Sequence, residues 1–144
     1  QCEEIEGQFL FQYFDSDGVA HSVSSSDVNE SLKEMSGELI TAKDFRTWWG
    51  SVTALGVLET IADNDTNAER KRKISSAIAV TSKELGNTKA VCRASYIHPG
   101  LLAAAETGEI TRLCRKLPNS AKRNMTIGET RLLALLPRLG SVSP

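Results

Sequence analysis

Cysteine and histidine are scarce in this chain of 144 residues, with three of the first and two of the second. Cys2, Cys92 and Cys114 form no Cys-x-x-Cys pair, and no His/Cys cluster has the spacing of zinc ligands. Three cysteines also make no disulfide framework, so reduced thiols and an intracellular, cytoplasmic protein are expected. No apolar run approaches the ~20 residues that span a bilayer, which excludes a membrane-spanning helix. No basic segment followed by an apolar one reads as a secretory signal. No internal repeat or low-complexity stretch is present. What remains is ordinary for a soluble globular protein, 40% hydrophobic and 24% charged, and 15.7 kDa is one domain's worth of chain.

Charge is balanced overall, at −1, but not along the chain. Residues 1–40 carry nine acids and the single base Lys33, a net of −8, whereas residues 41–144 carry nine acids and sixteen bases, a net of +7. A basic segment of that size points to a polyanionic partner or to neutralisation within the molecule.

The patterning is mainly helical. Phe9-Leu-Phe-Gln-Tyr-Phe14, the turn Asp15-Ser-Asp-Gly18 and Val19-Ala-His-Ser-Val23 allow at most one short extended pair. Asp27-x-x-Glu30 predicts a helix start, Val28, Leu32 and Met35 its apolar face, and Gly37 its end. Thr41-x-x-Asp44 opens a second helix with Trp48, Val52, Leu55 and Leu58 on its stripe; the bulk of Trp48 and Trp49 is expected to fix it in the core. A third runs from about Asn67 to Leu85. Its opening run of Glu69-Arg-Lys-Arg-Lys73 is unfavourable at the positive end of a helix dipole. Pro99 begins another helix at the position proline prefers, and Ile110, Leu113 and Leu117 mark a further face. Thr126-x-x-Glu129 is a capping box ahead of Leu132, Leu135, Leu136 and Leu139, and Pro137 kinks or ends that helix.

Three groups could carry chemistry. Lys43 and Arg46 stand three apart on one helix face, and an arginine there can present a planar fork to a phosphate, or simply pair with Asp44. Asn87 follows Gly86, as a helix cap or turn would, and Tyr96 lies nine residues on, as a core or interface tyrosine or as a nucleophile. His98, beside a helix-starting proline, reads as a surface or capping residue.

In combination these residues resemble the type IB DNA topoisomerases, particularly the bacterial, poxvirus-like branch. The matching motifs are Lys43-Asp-x-Arg46-Thr47, Leu85-Gly-Asn-Thr88 and Ser95-Tyr96, with Asp27-Val-Asn-x-x-Leu32 and Gly7-Gln-x-Leu-Phe-Gln-Tyr13 alongside. The resemblance covers most of residues 1–115 and fades beyond about residue 118. It implies the helical catalytic domain shared by topoisomerases and tyrosine recombinases, as one domain over residues 1–144. It implies Tyr96 as the nucleophile that forms a 3′-phosphotyrosyl bond, with Arg46 and Asn87 on the non-bridging oxygens of the scissile phosphate. Lys43, Thr88, Lys89 and Arg93 are then contacts to double-stranded DNA. Neither metal, nor ATP, nor another cofactor is implied, and a monomer is expected. The family's catalytic set also holds an arginine and a general-acid lysine upstream of the matched region, without counterparts here. With the Gln1 start, the expectation is the C-terminal part of a longer enzyme, inactive without its upstream part. Two alternatives stand: a tyrosine recombinase, although those usually carry His-x-x-Arg where this chain has Lys43-x-x-Arg46, or a non-catalytic helical DNA-binding module.

Overall fold

A computed structural model describes residues 11–139. Cys2 and residues 7–10 of the Gly7 motif lie outside them. The chain divides into two compact units, Gln1–Asp44 and Phe45–Pro144, and the division falls inside one helix. Among the described residues the protein is mainly helical, with one small antiparallel sheet.

In the first unit, strands β1 (Gln12–Phe14) and β2 (Ala20–Ser22) pair with Tyr13 opposite His21. The turn between them is built by one carboxylate. Asp15 accepts the N–H groups of Asp17 and Val19 at 3.0 and 2.9 Å, and its other oxygen meets His21 Nε2 at 2.6 Å. The His21 bond first, and then the backbone bond from Val19, hold the Asp15 carboxyl below its ordinary pKa. Helix α1 (Ser25–Ser36) follows and ends at Gly37 in the left-handed conformation, φ 71°. Its start corrects the sequence reading. Ser24 is the N-cap, and Asp27 is its reciprocal partner, returning a 2.7 Å bond to the Ser24 N–H. The pattern slipped by three because Asp27 suits either end of a capping box.

Helix α2 (Ala42–Leu58) begins where Thr41 and Asp44 predict it. The Asp44 carboxylate accepts the Thr41 N–H and hydroxyl at 2.8 and 2.6 Å. In the second unit it is followed by α3 (Asn67–Leu85), the short α4 (Lys89–Val91), a π-helical turn (Cys92–Tyr96), α5 (Pro99–Thr107), α6 (Glu109–Cys114) and α7 (Ile127–Leu135). The core gathers Leu55 and Leu58 of α2, Ala77 of α3, Leu101 and Ala105 of α5, Ile110 of α6 and Leu132 and Leu135 of α7. Trp48 and Trp49 do not share the role expected of them. Trp48 is half-buried and donates its indole N–H to Glu129 on α7 at 3.2 Å, while Trp49 is 46% exposed. Adjacent residues on a helix lie about 100° apart, so one stripe cannot bury both.

The basic opening of α3 is resolved locally. Thr66 and Glu69 form a capping box that puts a carboxylate at the positive helix end, and Lys73 is drawn onto Asp65 at 2.6 Å. Two ties fasten α7: Trp48 to Glu129, and Arg131 to Glu59 at 2.7 Å. Helix α7 ends in a 3₁₀ turn (Leu136–Arg138) centred on Pro137, as the proline predicts.

Candidate active site

The site begins with the way α3 ends. Gly86 turns left-handed (φ 65°), which a side chain would resist, and the last carbonyls of α3 are left without helical partners. One of them, Leu85 C=O, accepts Arg46 Nη2 at 2.8 Å, so a cation sits at the negative end of the helix dipole. The same Nη2 donates to Asn87 Oδ1. Only the amide oxygen can accept from a guanidinium, so the Asn87 NH₂ donors necessarily point elsewhere. Arg46 also lies over the Tyr96 ring, its Cζ 4.9 Å from the ring centroid. Arg46, Asn87 and Tyr96, up to fifty residues apart in sequence, thus form one half-buried constellation.

Tyr96 is placed by the π turn. Its closing bond runs from Ile97 N–H to Cys92 C=O at 3.1 Å, five residues back. That extra residue lets both Cys92 and Ile97 enter the core, 0% and 3% exposed, and leaves Tyr96 half-buried at the edge. Helix α2 comes very close here: a Cβ on Gly50 would collide with the Tyr96 carbonyl oxygen. Thr47 Oγ1 donates to Ser95 C=O at 3.4 Å, and Ser51 Oγ accepts the His98 N–H at 3.0 Å. His98 itself is a helix cap, its Nδ1 accepting the Gly100 N–H at 3.1 Å.

Among the described residues, two thiols are held up in pKa. Burial pushes the Cys92 thiol up, against the opposing Arg46 charge, and burial first, then the Glu59 charge, pushes Cys114 up to about 11. Among the described residues no cluster of His, Cys, Asp or Glu could hold a metal.

Thr88 is the N-cap of α4, its hydroxyl accepting the Val91 N–H at 3.3 Å. Lys89 and Arg93 line an open cleft of about 510 Å³, floored by Ile74, Ile78 and Ala90, and Arg93 is ion-paired to Glu106 at 2.8 Å. Lys43 is exposed on the first turn of α2. The cleft adds Lys71, which sequence reasoning missed. Its signal was the basic run opening α3, where Arg70 and Lys73 turn inward to Glu106 C=O and Asp65 while Lys71 and Arg72 stay exposed. Thr47 and Ser51 were also missed; the available signal was two hydroxyls four apart, just after Arg46.

One helical unit thus seats an arginine, an asparagine and a tyrosine together. Comparison with known proteins agrees: the family described as eukaryotic DNA topoisomerase I, catalytic core, matches residues 1–120, and the chain belongs to it. It is 31% identical over 101 residues to the DNA topoisomerase 1B of Acanthamoeba polyphaga mimivirus. That similarity covers 65% of this chain and 30% of the viral protein, so the chain spans less than a third of that relative's length. Helix α7 lies beyond the family match but supplies Leu132 and Leu135 to the same core.

Proposed function

We propose that this chain carries the nucleophile and two phosphate-binding groups of a type IB DNA topoisomerase. The observation that carries the reading is the convergence of Arg46, Asn87 and Tyr96. The Tyr96 oxygen attacks one phosphodiester of double-stranded DNA, a tyrosyl P–O bond forms as the bond to the 5′-oxygen breaks, and the DNA 3′ end stays on the protein. One phosphoester replaces another, so rejoining by the reverse step needs no ATP. Negative charge grows on the equatorial oxygens in the transition state. The Arg46 fork and the Asn87 NH₂ donors are held in advance by their mutual bond, and so stabilise it more than the ground state. Supercoils relax by rotation about the uncut strand.

The leaving 5′-oxygen takes a proton from a general acid that the resemblance assigns to a lysine outside these residues. The 30% coverage of the viral relative supports a site completed by further chain, and the 144 residues alone are expected not to relax plasmid. Lys43, Thr88, Lys89 and Arg93 serve as DNA contacts, in a protein acting as a monomer in the cytoplasm. The bacterial, poxvirus-like placement rests on the motifs, since the matched family description is eukaryotic and the relative viral.

The test is trapping. Full-length protein is mixed with a suicide DNA substrate that loses its cut strand, then run on a denaturing gel. A covalent adduct that disappears in Tyr96→Phe supports the enzyme. DNA binding without any adduct favours a non-catalytic DNA-binding module.

A further inference from the structure

The proposed mechanism gives Arg46, Asn87 and Tyr96 their roles and leaves unexplained how closely α2 is fitted to the tyrosine segment. Three residues on that helix meet the backbone around Tyr96. Thr47 donates its hydroxyl to Ser95 C=O, immediately before the tyrosine, at 3.4 Å. Ser51, one turn on, accepts the His98 N–H two residues after it at 3.0 Å. Between these two bonds Gly50 presents no side chain where the Tyr96 carbonyl approaches, and a Cβ there would collide with it. Positions 47, 50 and 51 recur at three and four residues and therefore share one helix face. Arg46 belongs to the same turn of that helix.

Ser51 is only 3% exposed. A hydroxyl buried among apolar neighbours is costly unless it is bonded, and this one faces the His98 N–H. The π turn makes such support necessary. It closes with the bond from Ile97 N–H to Cys92 C=O, and the next backbone, at Ile97 and His98, is extended or irregular until α5 begins at Pro99. The His98 N–H has no helical partner within this turn and is taken by Ser51 instead.

We propose that Thr47 and Ser51 are positioning residues that clamp the backbone on either side of the nucleophile, so that one rigid helix sets both the phosphate-binding arginine and the tyrosine. This rests on the topoisomerase reading and deepens it. The clamp makes the Arg46-to-Tyr96 geometry a property of α2, present before DNA arrives. Of its two bonds, Ser51 matters more, because its contact is shorter and buried while that of Thr47 is long and near the surface.

The experiment uses the full-length protein with Ser51→Ala, Thr47→Val, the double variant and the conservative Thr47→Ser. Three quantities are read on each: the single-turnover rate of adduct formation on suicide DNA, the DNA dissociation constant, and hydrogen exchange at the His98 amide. Misplacing a reacting atom by about 1 Å can cost on the order of 10²-fold in rate. The double variant is expected to approach that loss, Ser51→Ala to account for most of it, and Thr47→Ser to stay near wild type. DNA affinity is expected to hold within about twofold in all four, and the His98 amide to exchange faster in Ser51→Ala. Wild-type cleavage rates in Ser51→Ala and the double variant would overturn the clamp, as would unchanged His98 protection. Parallel losses of binding and cleavage would overturn it too, by reducing both residues to general stability. If these variants cleave normally while Tyr96→Phe forms no adduct, the clamp fails and the site reading stands. If Tyr96→Phe still forms adduct, the site reading fails first and takes the clamp with it.

Discussion

Residues 11–44 and 45–139 are held by different physics. In the first stretch, helix α1 buries none of its side chains, and Phe11, Tyr13, Phe14, Met35 and Leu39 are all more than half exposed. Its order comes from polar bonds that span at most 13 residues: the Asp15 turn, the Ser24–Asp27 box, the Thr41–Asp44 cap and the 3.0 Å bond from Ala42 N–H to Asn29. In the second stretch Leu55, Leu58, Leu101, Leu132 and Leu135 are at most 1% exposed, and the polar bonds at the candidate site span 39 and 47 residues. Local bonds shape a segment; a core is needed to hold catalytic groups in register. The candidate trio lies wholly in the part that has the core.

Truncating a core side chain has the largest expected effect. Leu101→Ala should cost about 2–5 kcal/mol, the usual loss for a fully buried leucine. Met35→Ala, at 78% exposure, should stay within about 0.5 kcal/mol. Denaturant unfolding monitored by circular dichroism checks both, and similar losses would erase the distinction.

At the site, Arg46→Ala should lower the cleavage rate by roughly 10²–10³, the range for loss of one transition-state donor. DNA affinity should change far less, because the contact is strongest in the transition state. Single-turnover cleavage and equilibrium binding separate the two. Equal losses would make Arg46 a binding residue only.

The smallest effect is one of pH. Asp15 in the first stretch and Asp65 in the second are both held below the ordinary value of 3.8, by the His21 bond foremost in one and the Lys73 bond foremost in the other. A carboxyl with a depressed folded pKa contributes stability fully present above its unfolded pKa and lost as pH falls through the folded one. Acidification from neutrality should therefore change little until below about pH 4. There, amides of residues 12–23 should lose exchange protection before those of α5, because no core backs them. Simultaneous loss in both would contradict the contrast.

What could be read from the sequence divides along the same line. The Gly37 and Gly86 caps, the proline opening α5, the Thr126–Glu129 box and the stop at Pro137 are all set by residues a few positions apart, and each stands where the pattern puts it. The start of α1 moved by three residues because a serine and an aspartate can each play either part in a capping box. The π turn had no such signal. It exists because Cys92 and Ile97 both enter a core whose other walls come from distant helices. Of the site, Arg46, Asn87 and Tyr96 were legible through motif order, whereas the bond between Arg46 and Asn87, forty-one residues apart, depends on α2 crossing the end of α3. The exposure of Trp49 was likewise beyond local rules, because it depends on which face of α2 meets the core.

One measurement bears most directly on the central claim. Full-length protein trapped on a suicide substrate is digested with trypsin, and the DNA-linked peptide is sequenced by mass spectrometry. One adducted residue is expected, Tyr96, within the tryptic peptide of residues 94–112, joined to the 3′ end of the DNA. A stable linkage at any other residue, or to the 5′ end, would contradict it.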